Sequence, residues 1–245
     1  MWSDVVDLRD FYASDLGQTA RRLIRIRLRG LWPDLHGQTV LGLGFATPYL
    51  QPWRGEAERV LAAMPAAQGV LPWPADGLSL SVLADETALP FPDLSIDRLL
   101  MIHVLESTEP VRALMREAWR VLKDSGRLLV VVPNRRGLWS RLERSPFANG
   151  RPYSAGQITR LLRDALFTPL GRQTALFLPP TRSAMLRASA PAIERIGQRL
   201  FPGFGGVILL EATKQVYAPN LVGAVAPRRR RAIALPQGLR REGSN

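Results

Sequence analysis

His103 closes an apolar run, 96–104, and Glu106 follows three residues later in His103-Val104-Leu105-Glu106. An imidazole titrates near neutrality and suits general-base work at a strand end. The plainer role is a polar strand-end residue that only packs. The chain's other histidine, His36, sits in the polar loop 32–38 and is expected to be structural. A second candidate for chemistry is Gly42-Leu43-Gly44-Phe45-Ala46-Thr47-Pro48, at the end of the apolar run 39–45. Glycines at such a place let the backbone approach a ligand closely, where a Cβ would collide or forbid the turn. Pro48 lacks an N–H, which is no loss in the first turn of a following helix. Cysteine is absent, which excludes disulfides and thiolate metal sites. No metal site is expected.

These residues need elements to position them, and the chain supplies an alternation. Residues 12–30 carry apolar positions close to helical spacing with a basic opposite face, although 24–29 also alternates with period two, so strand competes there. Short apolar runs follow at 39–45, 66–73, 78–83 and 96–104. Residues 107–123 form the clearest helix. Ser107 or Thr108 can cap it, Pro110 falls in its first turn, and Val111, Leu114, Met115, Ala118, Val121 and Leu122 share one face. A continuous apolar run at 127–132 reads as a strand covered on both faces. A loop at 134–152, a helix near 154–166, a strand near 171–178, an inserted helix at 183–200 and a last strand at 207–216 complete the pattern. Strands alternating with helices predict right-handed crossovers, hence an α/β, Rossmann-like, mainly parallel seven-stranded sheet with helices on both faces. The last strand is expected to be antiparallel. Ligands in such sheets bind beyond the carboxyl ends of the strands. The candidate sites are therefore 42–49, 71–73, 85–87 and 103–106.

At 245 residues and 46% apolar composition, one large domain with a substantial core is expected. Residues 1–226 are assigned to it. Residues 227–245 hold six arginines and one glutamate and are expected to be a disordered basic tail. That tail carries +5 of a net charge of +12; a second cluster comprises Arg21, Arg22, Arg25, Arg27 and Arg29. Such charge favours an acidic protein, nucleic acid or an anionic lipid surface, or is a solvated face. The chain shows neither a charged stub followed by an apolar stretch nor an apolar run long enough to span a bilayer, so a cytoplasmic location is expected.

Residues 84–134 carry a denser signal. Asp85 ends a run and Leu89-Pro90-Phe91 follows. Asp97 opens the next run, Glu117 and Arg120-Val121-Leu122-Lys123 lie on the helix, and Gly126 and Pro133-Asn134 bracket the next strand. This stretch resembles the class I S-adenosylmethionine-dependent methyltransferases, in the large group that includes the quinone-biosynthesis enzymes. The resemblance implies S-adenosylmethionine as cofactor and methyl transfer to an acceptor, with a small molecule expected. The family's glycine loop maps onto Gly42, Gly44 and Ala46, with Gly42 in place of its acid and Ala46 and Pro48 in place of two glycines. The acid that holds the ribose maps to 69–73, where Leu71 stands and no acid occurs. Trp73 there can stack on adenine or pack in the core, and Asp76 is near enough to reach back. Asp85 matches the acid that meets the adenine amino group, or else caps its turn; Glu86 and Thr87 would offer backbone contacts. His103 falls where the acceptor would meet the methyl group. Tyr49 and Tyr153 are candidates for the acceptor wall, against core packing for Tyr49 and a helix-entry contact for Tyr153.

Two other readings stay open. The domain can keep the fold but have lost catalysis, serving as a binding or scaffold subunit. It can also modify nucleic acid, although the residues after the fourth strand, His103-Val104-Leu105-Glu106, are not of the type used on flipped bases.

Overall fold

The computed structural model describes residues 4–142 and 145–215. The tail from 227 and the domain boundary at 226 lie outside these residues. Two helices open the chain, α1 (Val5–Ala13) and α2 (Asp15–Leu31). The Asp4 side chain caps α1 through Val6 N–H at 2.7 Å, and Ser14 Oγ accepts from Gly17 N–H at 3.1 Å to cap α2. These caps break the expected single helix at Ser14. Residues 24–29 are helical: Ala20, Leu23, Ile24 and Leu28 are buried on one face and the arginines take the other. The helical stripe reaches the core, so the competing strand period carries no weight there.

Strand β1 (Thr39–Gly44) leads into the short helix α3 (Thr47–Leu50), with Pro48 in its first turn as expected. Strand β2 is Arg59–Pro65, which corrects the expectation of a strand at 66–73. Ala62, Ala63 and Pro65 are poor strand formers, but parallel pairing of Thr39–Leu43 with Arg59–Ala63 overrides propensity. Residues 66–69 instead turn, with Gln68 N–H and Gly69 N–H both reaching Pro65 O. Next come β3 (Ser81–Ala84), β4 (Ile96–Ile102), α4 (Val111–Val121) and β5 (Leu122–Pro133). Pro110 occupies the N-cap of α4 without a side-chain bond, so neither Ser107 nor Thr108 caps it. The described residues close with α5 (Ala155–Asp164), β6 (Phe167–Ala175), α6 (Ala184–Ala188), α7 (Ala190–Leu200) and β7 (Val207–Lys214). The expected helix at 183–200 is thus two helices that meet at Ser189, and β6 starts earlier than 171.

The seven strands pair in the order β3-β2-β1-β4-β5-β7-β6, and only β7 runs antiparallel to its neighbours. Two cores flank the sheet. One packs α1, α2 and α7 on residues such as Leu100 and Leu129; the other packs α4 and α5 on Leu99 and Leu128. Arg120 on α4 ties the loop after β3 in place. It donates to Glu117 at 2.7 Å, Asp93 at 2.7 Å, Leu89 O at 2.8 Å and Phe91 O at 2.9 Å. No helix among the described residues is long and apolar enough to cross a membrane.

Candidate functional site

The strand order reverses between β1 and β4, and the crevice beyond their carboxyl ends is where ligands of such sheets bind. At the end of β1, Gly44 has φ +88°, and a Cβ there would lie 2.2 Å from Ile102 O. A Cβ on Gly42 would meet Ala46 Cβ at 2.6 Å and Leu50 Cδ1 at 2.7 Å. Both glycines therefore serve close contact of protein with protein. Phe45, Ala46 and Thr47 are buried, and the ring of Tyr12 on α1 stacks on Phe45 at 5.8 Å.

The end of β4 is equally covered. His103 has φ +56° and is buried; its Nε2 lies 2.6 Å from the Tyr12 hydroxyl. Tyr49 on α3 donates its hydroxyl to Tyr12 at 2.8 Å. The other ring nitrogen of His103, Nδ1, faces Glu106 Oε1 at 3.4 Å. That distance is too long for a well-formed hydrogen bond, and neither oxygen of the buried Glu106 has a hydrogen-bond partner among the described residues. Burial, and then Tyr49, pushes the Tyr12 hydroxyl well up. Burial also pushes Tyr49 up, and Tyr153 likewise, aided by Glu106. All three phenols are therefore protonated donors at neutral pH. Phe147 lies 4.8 Å from the His103 ring and closes the site from the far side.

The turn after β2 seals the remaining flank. Gln68 is buried, donates its amide to His103 O and accepts Val5 N–H at 2.8 Å, so α1 is fastened to the strand ends at both of its ends. At the end of β3, Asp85 is exposed. Its Oδ1 accepts both the backbone N–H and the hydroxyl of Thr87 at 2.7 Å. These two bonds hold its carboxyl below the usual range, the hydroxyl contributing most. Glu86 and Thr87 are half-buried beside it.

His103 and Tyr49 are thus brought together through Tyr12, whereas Asp85, Glu86 and Thr87 stand apart at the next strand end. Tyr153 joins the group indirectly, donating to Leu105 O at 3.2 Å. Leu71 lies six residues beyond the true end of β2, with its N–H toward Met64 Sδ at 3.4 Å. Asp76 does not reach back to that strand end; it faces Arg54 at 3.5 Å. Leu71, Trp73 and Phe45 border a cleft of about 620 Å³ along α1 and α2, which Tyr12 and the cofactor-loop residues Thr47 and Pro48 also line. Sequence reading missed Tyr12 and Gln68, which carried no signal; Glu106 lay within the candidate stretch 103–106 but was given no role of its own. His36 is exposed, with Nδ1 2.5 Å from Asp34.

The strand order and the crevice define the class I methyltransferase fold. Residues 42–130 match the family model described as a methyltransferase domain. A SAM-dependent methyltransferase from Thermotoga maritima superposes with a TM-score of 0.60 at 18% identity, covering 88% of this chain and 100% of that one. Geranyl diphosphate C-methyltransferase from Streptomyces coelicolor A3(2), solved with S-adenosyl-L-homocysteine, gives 0.52 at 17% identity over 74% of this chain and 72% of that one. The [4+2]-cyclase SpnF gives 0.60 at 20% identity over 88% and 95%. No curated protein matches the chain in sequence. The chain therefore has the class I methyltransferase fold and carries a methyltransferase-domain match over 42–130.

Its residues would meet S-adenosylmethionine, the cofactor of the methyltransferases it resembles, unevenly. Asp85, with Oδ2 left out of the Thr87 bonds, suits the adenine edge. The end of β2 offers Pro65, Ala66 and Ala67 in place of a ribose-binding acid. The glycine loop lies under Tyr12 with its Cβ spaces filled by protein. The ribose and methionine sides therefore do not fit the cofactor in this closed arrangement.

Proposed function

We propose that the chain is an S-adenosylmethionine-dependent methyltransferase acting on a small acceptor, with α1 covering the cofactor loop until the cofactor enters. The observation that supports this reading is the methyltransferase-domain match over 42–130, which spans both the glycine loop and Asp85 on the expected strand ends. Alignment of donor and acceptor is the main task in such a transfer, and His103, just past the end of β4, is the proposed base. With the ribose acid missing, affinity is expected to be about ten- to a hundredfold weaker than with that charged bond in place.

A second reading is a domain that has given up methyl transfer and works as a binding subunit. The buried Phe45, Ala46 and Thr47 under Tyr12 favour it. Calorimetric titration with S-adenosylmethionine separates the two, using the native chain and Asp85→Asn. Saturable heat that weakens in Asp85→Asn supports the enzyme. Absence of heat and of any thermal shift at about millimolar cofactor removes it and leaves the binding subunit.

A further inference from the structure

The cleft of about 620 Å³ beside the cofactor loop has a chemistry of its own. Its volume falls in the range of small-molecule sites, about 300–1,000 Å³. Arg9 from α1 and Arg21 and Arg25 from α2 line it, and its one acidic lining residue among those described is Asp76. Asp76 lies at the rim, with its side chain 88% exposed and Arg54 at 3.5 Å. Among the described residues neither Arg21 nor Arg25 has an acidic partner; Arg21 donates only to the Gln18 amide oxygen. Burial, and then the neighbouring Arg21 and Arg29, hold the Arg25 guanidinium below its ordinary value. Arg9 is paired with Asp10 at 2.8 Å, so Arg21 and Arg25 are the cations left without counter-charge, and their fields sum into the cleft. Guanidinium forks match phosphate oxygens in pairs, and a bound anion offsets the mutual repulsion. The opposite wall is apolar and aromatic. Trp73 is half-buried there, with Arg54 over its ring at 5.7 Å. A cation–aromatic wall of this kind accepts a planar ring. S-adenosylmethionine is a poorer match, because it brings a net positive charge toward the unpaired Arg21 and Arg25.

We infer that this cleft binds a phosphorylated, ring-bearing small molecule of the nucleotide class. The inference goes beyond the proposed methyl transfer, and its test uses different ligands. The full chain is titrated calorimetrically with ADP, inorganic pyrophosphate, adenosine and a single-stranded oligonucleotide. ADP is expected to bind with a Kd of about 10–100 µM, tighter than pyrophosphate or adenosine alone. Arg21→Gln and Arg25→Gln should each weaken ADP by about tenfold or more, the loss of one charge-assisted contact. Trp73→Ala should weaken ADP but not pyrophosphate. Arg22→Gln removes the same charge from an exposed position outside this cleft and should leave ADP binding unchanged.

Failure to bind ADP at about 1 mM overturns the inference. So does an equal loss in Arg22→Gln, which would mark diffuse attraction, or an oligonucleotide that binds more tightly than ADP. Displacement of ADP by S-adenosylmethionine with Arg21→Gln and Arg25→Gln silent would assign the cleft to the cofactor and overturn it too. Persistence of ADP binding in a chain that takes no S-adenosylmethionine would support this site while removing the proposed methyl transfer.

Discussion

Glu194 shows how one side chain can be held at a cost. It is buried on α7, its Oε1 accepts Phe177 N–H at 2.5 Å, and Arg27 stands 3.9 Å from an Oε2 that has no hydrogen bond among the described residues. Burial is the largest influence and raises its carboxyl; the Phe177 bond and Arg27 only partly oppose it. A raised folded-state value means that the native chain binds the proton more tightly than the unfolded chain. Its contribution to stability is therefore full below the unfolded value of about 4.3 and is lost as pH rises through the raised one. Glu194→Gln keeps an acceptor for Phe177 N–H and removes the charge. The variant should be more stable at pH 7 by about 1 kcal/mol, or about 2–4 °C in Tm, with the gap closing toward pH 4. Thermal melts across that range check this; a gap that does not change with pH would refute the assignment.

At the scale of elements, the β1–α3 turn is built for its own neighbours before any ligand. Gly44 has φ +88° and faces Ile102 O on β4, so a methyl there would force apart two strands at the switch point. Gly44→Ala should cost about 2–4 kcal/mol in urea unfolding without any ligand present. Gly30, near the end of α2, meets nothing within 4 Å of its missing Cβ, so Gly30→Ala should stabilise by about 0.5–1 kcal/mol. A Gly44→Ala chain as stable as the native one would mean that the loop is open enough to be a cofactor cradle after all. The neighbouring element argument is Arg120, whose three bonds from α4 to Leu89, Phe91 and Asp93 fix that loop.

At the scale of the molecule, the sheet separates two cores that share strands but not side chains. Leu99 and Leu100 are adjacent on β4, fully buried, and belong to opposite cores. Each Leu→Ala change should cost about 2–5 kcal/mol through lost burial and a residual cavity. With the sheet between the two side chains, the double variant should be additive to within about 0.5 kcal/mol. Urea unfolding of the four chains measures this. A coupling well above that figure would show that the two faces relax as one core.

The α/β class, the parallel sheet with an antiparallel last strand, and the helix at α4 were legible in the chain itself. Local periodicity and short apolar runs are set by neighbours in sequence, and burial of one face needs no further information. The position of β2 was not legible. Its Ala and Pro residues gain strand geometry only from pairing with β1, a contact between segments about twenty residues apart. The site divides in the same way. The glycine loop, Asp85 and His103 announce themselves because they stand at strand ends. Only the tertiary structure brought Tyr12 onto His103, 91 positions away in sequence, left the Glu106 carboxylate buried without a hydrogen-bond partner among the described residues, and moved Leu71 and Trp73 from a strand end to the wall of an arginine-lined cleft. Such meetings depend on how α1 and α2 pack across the sheet, and no local pattern encodes that packing.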